Sequence, residues 1–217
     1  MIGAATRTRL LELAAASPLI FWLGLGIIGS TSRISRIEPA WGSVFAIGSQ
    51  IATILLLAFV IIFLIIRRPA IRKAPGLAPR LAGIAGCVLP SFIALLPRAE
   101  VSPAIAAFSA AAVLLGTIMA IFAVLFLGRS FSVMPQARGL ATEGPYRIVR
   151  HPLYLAELTV LFGATWEIRQ PWPVIVLVCA IGVQVIRMHF EEKILSETFP
   201  SYRQYVMNTA RLFPGIY

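Results

Sequence analysis

Arg150-His151-Pro152-Leu153-Tyr154 and Glu191-Glu192 are the residues of this chain best suited to chemistry, and each group sits at an end of an apolar segment. Ionisable side chains are costly near hydrocarbon, so they are kept where a ligand or partner repays them. Gly144-Pro145-Tyr146, just upstream, is turn chemistry: Gly frees the backbone and Pro presets its own φ. His151 is then placed to begin a helix with Pro152 at its first position, where a missing N–H does no harm. His151 and Tyr154 are three apart and share a helical face. The helix start also offers unpaired N–H groups to a carboxylate or other anion. Arg187 and Glu191 are four apart near the end of the last apolar segment. They are expected either to form an ion pair worth about 0.2–0.5 kcal/mol or to face a ligand together. Glu192 is expected to point elsewhere, into solvent.

The elements that must position these groups are read from composition. The chain has 217 residues, of which 59% are hydrophobic and 13% charged. A soluble domain has about 45–50% apolar and about 25% charged residues, so the fold class expected is all-α, an integral membrane bundle. A net charge of +10 with 19 Lys and Arg resembles a nucleic-acid binder only until the charges are placed. Six apolar segments, 10–29, 43–66, 80–97, 103–127, 151–166 and 173–190, approach the about 20 residues that a membrane crossing needs. The fifth and sixth read as a C-terminal helical hairpin broken by charges and a proline at 167–171. With both termini cytoplasmic, 15 of the 19 basic residues fall on the inner side, while Arg33, Arg36, Arg98 and Arg169 fall outside. This is the positive-inside pattern, and it places both polar blocks on the cytoplasmic face of an inner, or plasma, membrane. Membrane lipid is the expected surrounding and nucleic acid is not an expected partner. Arg7 and Arg9 precede an apolar stretch interrupted by Glu12 and Pro18, which reads as an uncleaved span. Cys87 and Cys179 lie in apolar runs, and His151 and His189 are far apart, so no metal is expected. The whole of 1–217 reads as one membrane domain, with 1–100 as scaffold and 101–217 carrying the chemistry. Phe199, Tyr202, Tyr205 and Arg211 form an aromatic and basic tail along the membrane surface.

The stretch from Leu127 to Tyr154, followed by Glu191-Glu192-x-x-Leu195-x-x-x-Phe199 and Tyr202-x-x-Tyr205, resembles the isoprenylcysteine carboxyl methyltransferase family. Phospholipid N-methyltransferases share this C-terminal half. The resemblance covers roughly residues 125–215. Two positions depart from it: Arg138-Gly139 replaces a His common upstream of the Leu, and Pro200 stands where many members have Gly. The resemblance implies an enzyme that binds S-adenosylmethionine at the cytoplasmic interface rather than in a soluble Rossmann domain. It implies cofactor contacts from Arg138, Gly139, Leu140, Ala141 and Tyr146, completed by His151, Pro152, Leu153, Tyr154 and Glu191. It makes Arg187 the substrate-side catalytic residue. The acceptor is expected to be lipophilic or lipidated, with a carboxylate first. A phospholipid amine or a small thiol is the alternative, and His151 or Glu191 would then be wanted as a base. A membrane reductase using NADPH and a non-catalytic membrane protein are the readings from other classes.

Overall fold

A computed structural model describes residues 4–39 and 42–215. Among them the chain forms seven α-helices: α1 (Ala4–Ile34), α2 (Ser43–Ile66), α3 (Ala78–Phe92), α4 (Pro103–Leu127), α5 (Pro152–Thr165), α6 (Trp172–Thr198) and α7 (Tyr202–Asn208). The mainly helical fold agrees with the sequence. Local chemistry sets several starts. Ser102 caps α4 by accepting from the Ile105 N–H, and Pro103 follows at its first turn. Pro152 opens α5 and Pro173 lies in the first turn of α6 in the same way.

Four helical stretches are long and apolar enough to cross a membrane: Arg9–Ile34, Ser43–Ile66, Pro103–Ser130 and Trp172–Thr198. Where the sequence suggests six, α3 and α5 have only 15 and 14 residues. At about 1.5 Å per residue they fall short of the about 30 Å of a hydrocarbon core. Large apolar side chains point outward from the long helices, among them Phe21, Ile28, Ile51, Phe122, Val178 and Ile186. That outer surface belongs in lipid, and the chain reads as an integral membrane protein.

The most extensive packing of α5 is on α4, and that of α6 is on α3. The two arms expected to form a hairpin therefore meet each other less than they meet these neighbours. One core cluster joins Leu64 of α2, Val124 of α4 and Phe131, with Leu19 and Leu153 packed on it. Two sets of loops are tied end to end. At one end, β1 (Arg72–Lys73) pairs antiparallel with β2 (Gln136–Ala137). At the other, Arg98 bridges Ile168, and Arg98 Nη1 lies 3.2 Å from Glu167 Oε2.

Candidate functional site

The site is built where the start of α5 meets the end of α6. Gly144 turns the chain with φ 58°, a left-handed conformation that Gly adopts without penalty. Pro145 and Tyr146 continue a single 3-10 turn, and His151 stands at the cap position of α5. Its ring does not cap the helix. Instead, His151 Nε2 lies 3.0 Å from Glu192 Oε1. A carboxylate only accepts, so Nε2 is the donor in this contact. Nδ1 is 4.0 Å from Glu191 Oε2.

Tyr154 is the centre of the arrangement. Its hydroxyl donates to Glu191 Oε2 at 2.6 Å. Its ring stacks with that of His151, with centroids 5.3 Å apart, and Arg187 Cζ lies 4.4 Å from its centroid. The shared helical face of His151 and Tyr154 is thus realised. The Arg187–Glu191 ion pair is not, because Arg187 Nη1 reaches Glu157 Oε2 and Gln184 Oε1, each at 3.0 Å. Arg187 is only 4% exposed, and its Nε is buried without a hydrogen-bond partner.

Glu192 is not the solvated residue that its sequence position suggests. It accepts from Arg150 Nε at 3.0 Å and from Arg211 Nε at 3.2 Å, besides His151. Arg150 N–H donates to the Ala210 carbonyl at 2.8 Å, and its guanidinium donates to the carbonyls of Val206 and Thr209. The tail therefore folds back over the site. Tyr205 Oη donates to the Tyr146 carbonyl at 2.6 Å, and Tyr202 Oη is buried without a partner. Burial pushes the Tyr146 phenol well above its ordinary value, lifts that of Tyr202, and raises Tyr205 to about 12, with Glu191 adding to each shift. These three groups are neutral donors at physiological pH.

Two adjoining hollows open here. Gly139, Leu140, Ala141, Leu195 and Tyr202 help line the outer one. Leu153, Tyr154, Glu157, Arg187 and Cys87 help line the other, called inner because it reaches farther along α5 and α6, to Glu157 and Arg187. Tyr146, His151 and Glu191 belong to both. Two expected site residues line neither. Pro152 is buried at the first turn of α5. Arg138 turns toward α1, where Nη1 meets Glu12 Oε2 at 3.1 Å and the Arg68 carbonyl, and Nη2 meets Gln136 Oε1 at 2.7 Å. The sequence reading names Glu12 only as a break in the first apolar stretch and does not name Glu157, although an acidic residue inside an apolar helix is the signal that could have found both partners. Cys87 carried no such signal.

The side chains of Tyr146, His151, Tyr154 and Glu191 are thereby gathered across one cleft. Residues 104–201 match the phospholipid methyltransferase family. That family includes members like the isoprenylcysteine carboxyl methyltransferases. A stretch of 79 residues is 32% identical to the cobalt-zinc-cadmium resistance protein CzcN of Cupriavidus metallidurans, covering 36% of this chain and 36% of that protein. The chain thus matches about a third of the length of this curated relative. Among the described residues, no three His, Cys, Asp or Glu side chains gather so that they could hold a metal ion.

Proposed function

We propose that the protein is an S-adenosylmethionine-dependent membrane methyltransferase acting on a lipophilic acceptor, most like O-methylation of an isoprenylcysteine carboxylate. The observation that carries this reading is the pair of hollows sharing Tyr146, His151 and Glu191, each with a buried unpartnered donor. A two-substrate transfer needs two such adjoining sites. The donor set of the outer hollow fits the cofactor. Glu191 offers a carboxylate for ribose hydroxyls or a sulfonium, Tyr202 Oη offers an unused donor, and Leu140 and Leu195 offer an apolar surface for the purine. Gly139 and Ala141 complete that wall, with Arg138 holding their loop from behind. When bound, S-adenosylmethionine supplies an electrophilic methyl group, so positioning of the nucleophile accounts for much of the acceleration.

The inner hollow receives the acceptor. Arg187 lines this hollow, its Nη1 is held by Glu157 and Gln184, and its Nε has no partner within the protein. A carboxylate docks on such a fork in two-point fashion and needs no base. Leu153 and Tyr154 frame the approach. A second reading is favoured by one observation: Glu157 and Glu191 line this hollow beside Arg187, while the other guanidinium there, that of Arg150, is turned to Glu192 and to the tail carbonyls. That balance suits an amine head group, for which His151 Nδ1 is the available base.

Full-length protein in detergent, incubated with methyl-labelled S-adenosylmethionine and total membrane lipid, tests the proposal. A base-labile labelled ester supports the carboxylate reading, and a base-stable labelled lipid supports the amine. Binding of NADPH with no labelled product would overturn both.

A further inference from the structure

Gly86 on α3 stands where no side chain fits. An ideal Cβ there would lie 2.6 Å from both Cδ and Cζ of Arg187, and nearer still to Nη1. Arg187 has little freedom to yield. It is 4% exposed, its Nη1 is held at 3.0 Å by Glu157 and Gln184, and its guanidinium covers the Tyr154 ring. One turn earlier, a Cβ on Gly83 would lie 2.9 Å from the Val133 carbonyl oxygen. Val133 lines the inner hollow, as does Cys87, the neighbour of Gly86. The Gly83-x-x-Gly86 face of α3 is therefore pressed against two walls of that hollow.

We infer that Gly86 is a positioning residue for Arg187. The missing side chain lets the guanidinium settle against α3, which keeps its face on Tyr154 and its unpartnered Nε at the inner hollow. A methyl group at position 86 pushes the guanidinium away, and the Glu157 and Gln184 bonds or the Tyr154 contact must then stretch. The consequence for the acceptor rests on the methyltransferase reading, whereas the packing of Gly86 on Arg187 does not.

The test compares Gly86→Ala in two backgrounds, with Gly182→Ala on α6 as the control because nothing lies within 4 Å of a Cβ there. In the wild-type background, Gly86→Ala is expected to lower the unfolding midpoint of the full-length protein by about 3–6 °C. In the Arg187→Ala background, where the obstructing side chain is gone, the same change should leave the midpoint level or raise it, as helix propensity favours. With labelled S-adenosylmethionine, the Kd of Gly86→Ala should stay within about threefold of wild type, while the apparent acceptor KM, measured with total membrane lipid as the acceptor, rises about tenfold. Gly182→Ala should change neither constant. Equal falls in midpoint in both backgrounds, or an unchanged acceptor KM, would overturn the inference. Coupling of the two positions in a wild-type protein that transfers no methyl group would overturn the functional reading instead, leaving the packing role of Gly86 intact.

Discussion

Tyr154 donates to Glu191 across 2.6 Å, and this bond ties the first turn of α5 to the C-terminal part of α6. The length is that of a charge-assisted O–H···O⁻ bond. Tyr154 is 8% exposed, so a weakened partner cannot readily be replaced by water. Glu191→Gln keeps the shape and removes the charge. It is expected to weaken S-adenosylmethionine binding by about 1–3 kcal/mol, the range for a lost hydrogen bond to a charged group. Isothermal titration of the detergent-solubilised variant measures this, and unchanged affinity would reduce Glu191 to a helix-end residue.

Arg187 separates acceptor classes. Lys at this position keeps the charge but has neither the planar fork nor the Nε donor, so it cannot serve Glu157 and an acceptor carboxylate together. Arg187→Lys should bind S-adenosylmethionine within about threefold of wild type while its methyl transfer falls at least about tenfold. Near-normal turnover on the natural acceptor would remove the carboxylate and leave the amine or thiol.

The meeting of His151, Tyr154 and Glu191 was legible because it depends on helical spacing and on a motif order that survives in sequence. What Glu192 does was not legible, because its partners include Arg211 and the backbone-anchored Arg150, and these are brought together only when the tail returns. Glu157 is visible as a charge inside an apolar helix, but spacing along one helix offers only Glu191 as a partner for Arg187 and cannot show a residue on α5. Gly86 gives no local signal at all, since its meaning lies in an arginine on another helix. The lengths of α3 and α5 were not legible, because hydropathy does not show that these helices stop at 15 and 14 residues.

Glu192 holds the returning tail, which yields a prediction about stability rather than binding. Its side chain is 21% exposed, and its carboxylate is ion-paired with Arg150 and Arg211 and hydrogen-bonded by His151. Partial exposure screens these pairs, so Glu192→Gln is expected to cost about 1–3 kcal/mol rather than the larger penalty of a fully buried pair. Limited proteolysis should cut the tail beyond residue 199 faster in this variant. Identical cleavage would show that α7 is held by its own packing.

Alkaline pH should loosen the same tail. The Tyr205 phenol is raised from 10.0 to about 12, chiefly by burial. A raised phenol favours the protonated folded state, so its contribution is fully present below pH 10 and is lost as pH climbs toward 12. Unfolding midpoints measured from pH 8 to pH 12 should therefore hold level and then fall in that window. Tyr205→Phe starts lower, through loss of the bond to the Tyr146 carbonyl, but falls less steeply. Parallel curves would mean that Tyr205 does not titrate with folding.

The membrane topology is the last prediction, and the loop pairings bear on it directly. β1 pairs with β2, and Ile71 N–H donates to the Ala137 carbonyl at 2.8 Å, so Arg72 and Arg138 must lie on one side of the membrane. Arg98 bridges Ile168, and Arg169 N–H donates to the Pro97 carbonyl at 3.0 Å, so Arg98 and Arg169 must lie together as well. α3 runs between Arg72 and Arg98, and α4 brings the chain back. A helix of 15 residues covers about 23 Å, too little alone for a hydrocarbon core of about 30 Å. The 3-10 turn Ile93–Leu95 beyond α3 extends the segment, and we propose that the Arg72 side, where the basic residues are concentrated, faces the cytoplasm. Reporter fusions after Arg72, Arg98, Arg138 and Arg169 are expected to read inside, outside, inside and outside. An outside signal at Arg138 would put the cofactor hollow on the wrong face for S-adenosylmethionine. An inside signal at both Arg98 and Arg169 would instead make α3 and α5 re-entrant elements that leave the membrane on the side they entered.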